Sequence, residues 1–171
     1  MKMTFKKITA AVMAVTTLAV NMVGISASAS YQDSTFTDYS IAAQYSRYTP
    51  TRLKEDNTPA SIKVTNTNPS GCKMTVRVYG TYTSSSTPSG GTDYTYGSAK
   101  VVGVSNSYTY LPNLVGESLR YDSDGNKHNV YAYLGFKTYS TTNGTQYFTA
   151  SGKWSPDSVW SNIEFLQQLH R

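Results

Sequence analysis

Few residues in this chain could carry covalent chemistry. There are two histidines, His128 and His170, one cysteine, Cys72, and 10 acidic residues among 171. A serine–histidine–acid hydrolase presents its nucleophile on a sharp G-x-S-x-G turn, and that pattern does not occur. Cys72 follows the turn signal "NPSG" with no nucleophile motif around it. It reads as a small buried strand-end residue, with pairing between chains as the alternative. A structural zinc site needs clustered cysteines and histidines, which this composition does not supply. "DSDGNK" offers Asp122, Asp124 and Asn126 at the first three ligand positions of a calcium loop. The required glycine and glutamate are replaced by Lys127 and Tyr133, so an Asp-Gly turn is the simpler reading. No pair of acids is singled out for glycoside hydrolysis. The expectation is a protein that is not an enzyme, with no catalytic residue, no metal and no cofactor.

The tyrosines remain, 15 of them. In "NVYAYLGFKTY" the residues Val130, Ala132, Leu134 and Phe136 share one parity, and Tyr131, Tyr133 and Lys137 share the other. In "CKMTVRVYG" the residues Met74, Val76 and Val78 oppose Lys73, Arg77 and Tyr79. Tyrosine supplies rigid area and a hydroxyl at small entropic cost, so an exposed tyrosine plate with a cationic rim suits sugar rings or a protein partner. Tyr79, Tyr131 and Tyr133, rimmed by Arg77 and Lys137, are the candidate ligand-binding residues. The competing reading makes them cross-strand pairs that stabilise a solvated sheet face.

The elements that must carry these residues are short alternating runs punctuated by turns. "SIKVTN" and "CKMTVRVYG" flank "NPSG" and predict a hairpin. "TSSSTPSGGT" reads as a solvated hairpin connection, and Asp124-Gly125 and Asn143-Gly144 as further hairpin turns. "YFTASGKW" closes the series, with Phe148, Ala150, Gly152 and Trp154 alternating. About seven strands without a long helical period predict an all-β, antiparallel β-sandwich, with a small β-barrel as the alternative. Residues 30–58 form a polar entry segment and 59–159 the sandwich domain. In 160–171, Ser161 and Glu164 have capping-box spacing ahead of Ile163, Leu166 and Leu169, which predicts a short C-terminal helix.

The first 29 residues read as a secretory signal peptide. Lys2, Lys6 and Lys7 precede an apolar run, and Ala27 and Ala29 form an A-x-A site. Polar interruptions at Thr9, Thr16, Thr17 and Asn21 disfavour a permanent span. The formal charge of +5 includes those three lysines, and without them 12 cations face 10 acids, a net +2. The cations are scattered, so no nucleic-acid partner is expected. The expected location is secreted, extracellular or cell-wall associated, with no stable membrane span after cleavage.

"YTPTRLKEDNTPASIKV", "MTVRVYG", "VYAYLGF" and "SGKWSPDSV" give the chain, from about Tyr48 to Val159, a likeness to a known group. It resembles an uncharacterised family of small secreted β-domain proteins of Gram-positive bacteria. The run Gly152–Ser158 is the most specific part of the resemblance. It implies a single extracellular β-domain closing at "WSPDS" and carries no catalytic residues with it. The tail from Trp160 is longer than that pattern requires. The functional expectation is therefore a secreted, non-enzymatic protein that binds a cell-wall or surface glycan, or a surface protein, through a tyrosine-rich sheet face. The alternative is a bacteriocin-like antagonist acting through the C-terminal amphipathic segment, although that segment lacks a lysine-rich polar face.

Overall fold

The computed structural model describes residues 33–142, 144 and 146–158. The predicted export leader and the predicted C-terminal helix, with the antagonist reading that rests on it, lie outside these residues. Ten strands are described: β1 (Ser34–Ile41), β2 (Arg47–Tyr48), β3 (Arg52–Leu53), β4 (Ala60–Asn68), β5 (Lys73–Thr81), β6 (Thr92–Asp93), β7 (Lys100–Val102), β8 (Thr109–Leu111), β9 (Tyr131–Ser140) and β10 (Phe148–Ser155). One short helix, α1 (Val115–Leu119), follows β8.

The strands form two antiparallel sheets, neither of them closed into a barrel. The smaller runs β1-β10-β4-β8, and the larger runs β2-β9-β5-β6, with β3 also pairing β9 and β7 also pairing β5. The architecture is the predicted β-sandwich. Alternation explains which side of each sheet turns inward, because successive side chains of a strand point to opposite faces. Met74, Val76 and Val78 of β5 and Ala132, Leu134 and Phe136 of β9 are buried in one core. Ile62 and Val64 of β4 and Phe148, Ala150 and Trp154 of β10 belong to the same core. Cys72 is buried and unpaired just before β5.

Two expectations need correction. The two runs around "NPSG" do not form a hairpin: β4 lies in the smaller sheet and β5 in the larger, so this connection arches across the core. β9 and β10, on either side of the predicted Asn143-Gly144 hairpin turn, likewise lie in different sheets. Turn residues reverse the chain equally well within a sheet or between sheets, so turn chemistry alone does not separate the two. The polar entry segment supplies strands to both sheets: β1 pairs β10 from Ser34↔Trp154 to Ile41↔Phe148, and β2 and β3 both pair β9. Phe36 and Ile41 bury themselves in the core from β1. By contrast, the connection from β5 to β6 is a hairpin, with Tyr79↔Asp93 and Gly80↔Thr92.

Gly152 marks a close approach in the smaller sheet. It sits at a register shift of β10 against β4, and a Cβ there would run into the Lys63 backbone carbonyl and the Phe36 ring. Backbone cannot swing aside as a side chain can. Gly152→Ala is expected to lower stability by about 1–3 kcal/mol, read as a lower denaturant midpoint with an unchanged slope.

Candidate functional site

Register brings all five predicted site residues onto one face of the larger sheet. β5 and β9 pair Tyr79↔Tyr133 and Arg77↔Gly135, with Thr75↔Lys137 and Thr81↔Tyr131 on either side. All of these side chains point away from the sandwich core. The predicted exposure fails for two of them, however: Tyr79 is 7% and Tyr133 2% exposed. The rings cover one another. Tyr79 stacks on Tyr133 at 5.4 Å between centroids, and Tyr48 meets both edge-to-face at 5.5 and 5.9 Å. Gly135 leaves the space for this packing, since a Cβ there would stand 2.5 Å from the Tyr79 ring. A glycine inside a strand marks close approach, and that signal is present in "YLGFK". The Tyr133 hydroxyl donates to the Gly90 carbonyl at 2.5 Å, which pins the β5–β6 loop over the ring. Tyr79 and Tyr133 are therefore a second, aromatic packing layer and not an open plate.

The cationic rim closes over Tyr45, a residue the sequence pattern did not single out. The Arg77 Nε–H donates to the Tyr45 hydroxyl at 3.1 Å, and its guanidinium pairs with Asp93. Lys137 Nζ lies 5.4 Å from the Tyr45 ring centroid and the Arg77 guanidinium carbon 5.5 Å, both within cation–π range. Asp93 is held below the usual carboxylate range: burial opposes this, but hydrogen bonds from Thr95 and Arg77 outweigh it.

The phenols in this layer resist ionisation. Tyr79 is pushed up to about 12, first by burial and then by neighbouring Tyr48 and Asp93. Burial also raises Tyr45 and Tyr133. Below the ordinary phenol value of 10.0 both folded and unfolded chains keep the Tyr79 proton, and its contribution to stability is complete. Between 10.0 and about 12 the unfolded chain ionises and the folded one does not, so stability falls across that window. Tyr79→Phe is expected to flatten this fall, measured as denaturant midpoint against pH alongside tyrosinate absorbance.

Tyr131 has a different position. It is half-buried at the start of β9 and lines an open cleft of about 260 Å³ with Thr51, Arg52, Leu53, Glu55, Ser84 and Pro156. Four parts of the chain meet there: the β3 strand and its flanks, the β5–β6 loop, the start of β9 and the end of β10. The loop is tied down where it enters the cleft. Thr51 N–H and Oγ1 both donate to the Ser85 carbonyl, and Ser85 N–H donates to Thr51 Oγ1 at 2.7 Å.

Behind this cleft lies a buried charge cluster. Lys54 Nζ donates to the Thr58 carbonyl at 2.5 Å, the Pro156 carbonyl at 2.8 Å and Asp157 Oδ1 at 2.6 Å. Asp157 Oδ2 accepts from the Glu55 backbone N–H at 3.0 Å. Residues on both walls, Glu55 and Pro156, are thus held by one Lys54–Asp157 pair. Nothing in the local pattern around either residue announced this partnership.

The Asp122 turn is internally satisfied. Oδ1 accepts from the Asp124 and Asn126 amides, and Oδ2 from Asn126 Nδ2 and from His128 Nε2 at 3.0 Å. The His128 hydrogen bond and these turn donors bring Asp122 down to about 2. Among the described residues, no three His, Cys, Asp or Glu side chains gather as a metal-binding group. No described helix is long and apolar enough to cross a membrane.

Fold and site together define an antiparallel β-sandwich whose larger sheet carries a closed tyrosine layer beside an open, polar-walled cleft. A family model described as "Protein of unknown function (DUF2712)" matches residues 23–158. The chain belongs to the DUF2712 family. No curated protein and no solved structure matches it.

Proposed function

We propose that the protein is exported and acts outside the cell as a non-enzymatic module that binds a surface glycan, such as a cell-wall polymer, in the Tyr131 cleft. The observation that carries this reading is the makeup of the cleft. An accessible tyrosine and the apolar Leu53 and Pro156 stand beside Thr51, Arg52, Glu55 and Ser84. A sugar ring asks for that combination: an aromatic surface for its C–H face and converging polar groups for its hydroxyls. A volume of about 260 Å³ lies just below the usual range for drug-sized ligands, which suits one ring of a polymer at a time. Arg77 and Lys137, on the same face, extend the contact toward anionic groups of the polymer. Tyr79 and Tyr133 contribute by making the sheet face rigid beneath it.

The test is a binding isotherm on isolated cell walls, and on walls stripped of protein, for the native chain and for Arg52→Ala. Arg52→Ala is expected to weaken binding by about tenfold, the equivalent of one charge-assisted hydrogen bond of roughly 1.5 kcal/mol. Binding that vanishes when the walls are stripped of protein would replace the glycan with a surface protein.

A further inference from the structure

The Lys54 cluster has the composition of a reaction site as well as that of a clamp. The Lys54 side chain is 0% exposed and the Asp157 side chain 1%, with Nζ 2.6 Å from Oδ1. A third group, the Asp56 carboxyl, stands 3.7 Å from Nζ and is one-third exposed. The Asp56 and Asp157 carboxyls also act on one another, which lowers Asp56 and raises Asp157. An enclosed amine and carboxyl are therefore grouped with a second, partly exposed carboxyl 3.7 Å from the amine. Three contacts hold the amine in place, and the acid is fixed by the Glu55 amide.

We propose that Lys54 and Asp157 condense spontaneously into an intramolecular amide (isopeptide) bond, with Asp56 as the proton relay. Asp157 enters as the protonated acid and Asp56 as the carboxylate. Asp56 takes one proton from the Lys54 ammonium. The freed Nζ lone pair attacks Asp157 Cγ and forms a tetrahedral centre. Asp56 gives its proton to a departing hydroxyl of that centre and takes a second proton from nitrogen. The Cγ–O bond breaks, water leaves, and an Nζ–Cγ amide with one N–H remains, with Asp56 protonated. No oxidant, metal or cofactor enters the balance.

The environment favours each step. Burial lowers the Lys54 ammonium's hold on its proton, although Asp157 opposes this. Burial raises Asp157 toward its neutral, electrophilic form. Burial would also raise Asp56, but the Asp157 carboxyl and hydrogen bonds from Thr58 hold it low, in the form a base requires. The partial exposure of Asp56 gives the released water an exit, while the dry interior around Nζ withholds the water that would reverse the reaction. Proximity of this kind replaces the entropic cost of bringing an amine and an acid together. The product would covalently join the β3–β4 connection to the end of β10, which lie 103 residues apart.

The test is peptide mapping by mass spectrometry of the purified, folded full chain after prolonged incubation. The expected result is a branched peptide joining the Lys54 and Asp157 segments, lighter by one water than its two parts, with no tryptic cleavage after Lys54. Lys54→Arg and Asp157→Ala should abolish the branched peptide. Asp56→Asn should slow its formation at least tenfold while retaining native near-UV circular dichroism. Two linear peptides of full mass from the folded native chain would overturn the proposal and leave an ordinary buried ion pair. Equal cross-linking in folded Asp56→Asn would overturn the relay.

Discussion

Asp157→Ala is expected to lose about 3–5 kcal/mol of folding stability, the cost of stranding one member of a buried ion pair. Lys54 would keep its two carbonyl acceptors and Asp56 at 3.7 Å but lose the buried carboxyl 2.6 Å away. The Glu55 amide would lose its acceptor as well. Where the amide bond has formed the loss is larger, because the cross-link also restricts the unfolded chain. Asp157→Asn, which keeps an oxygen for Lys54 but not the charge, should fall between the native chain and Asp157→Ala. Equilibrium denaturation of the three chains measures the order. Because Glu55 and Pro156 line the Tyr131 cleft, Asp157→Ala should also loosen ligand binding at temperatures where the chain is still folded.

Trp154→Ala is the second large effect, at about 3–5 kcal/mol for removing a buried tryptophan. Trp154 is fully buried and is registered between Ser34 of β1 and Ile62 of β4, so an interior strand of the smaller sheet packs through it. Among the described residues its indole N–H has no hydrogen-bond partner, so the side chain acts there through volume. Trp154→Phe should therefore cost much less than the alanine change, because no hydrogen bond is lost and only a small void is left. A loss of similar size in both variants would mean that the indole edge does more than fill space. Denaturant midpoints of the two variants decide this.

Much of this architecture was legible along the chain. Alternation in "CKMTVRVYG" and "VYAYLGF" separated inward from outward residues correctly, because a sheet with one buried face imposes a period of two. The same alternation placed Trp154 in the core. Exposure was not legible. Whether Tyr79 and Tyr133 are open depends on their facing one another across β5 and β9, and on Tyr48 reaching over Gly135 from an edge strand. Tyr45 and Tyr48 sit in a polar stretch with no period, so nothing there marked them as partners of Arg77 or Tyr79. α1 was missed because it is five residues long and its N-cap residue, Leu114, makes no side-chain cap. The Lys54–Asp157 pair joins two non-periodic segments, and only the closed fold brings them together.

The cleft makes Tyr131 the residue on which the functional account turns. It belongs to the same sheet face as Tyr133, yet only Tyr131 lines the open cleft. The measurement is saturable binding to protein-stripped Gram-positive cell walls by three chains: native, Tyr131→Ala and Tyr139→Ala. Tyr139 is 62% exposed on the same strand and does not line the cleft, so it controls for loss of a surface tyrosine. Loss of an aromatic contact of roughly 0.5–1.5 kcal/mol, with the area it buries, predicts binding about tenfold weaker for Tyr131→Ala. Tyr139→Ala should bind as the native chain does. Equal binding by all three, or no binding by the native chain, would contradict the Tyr131 cleft as a glycan site.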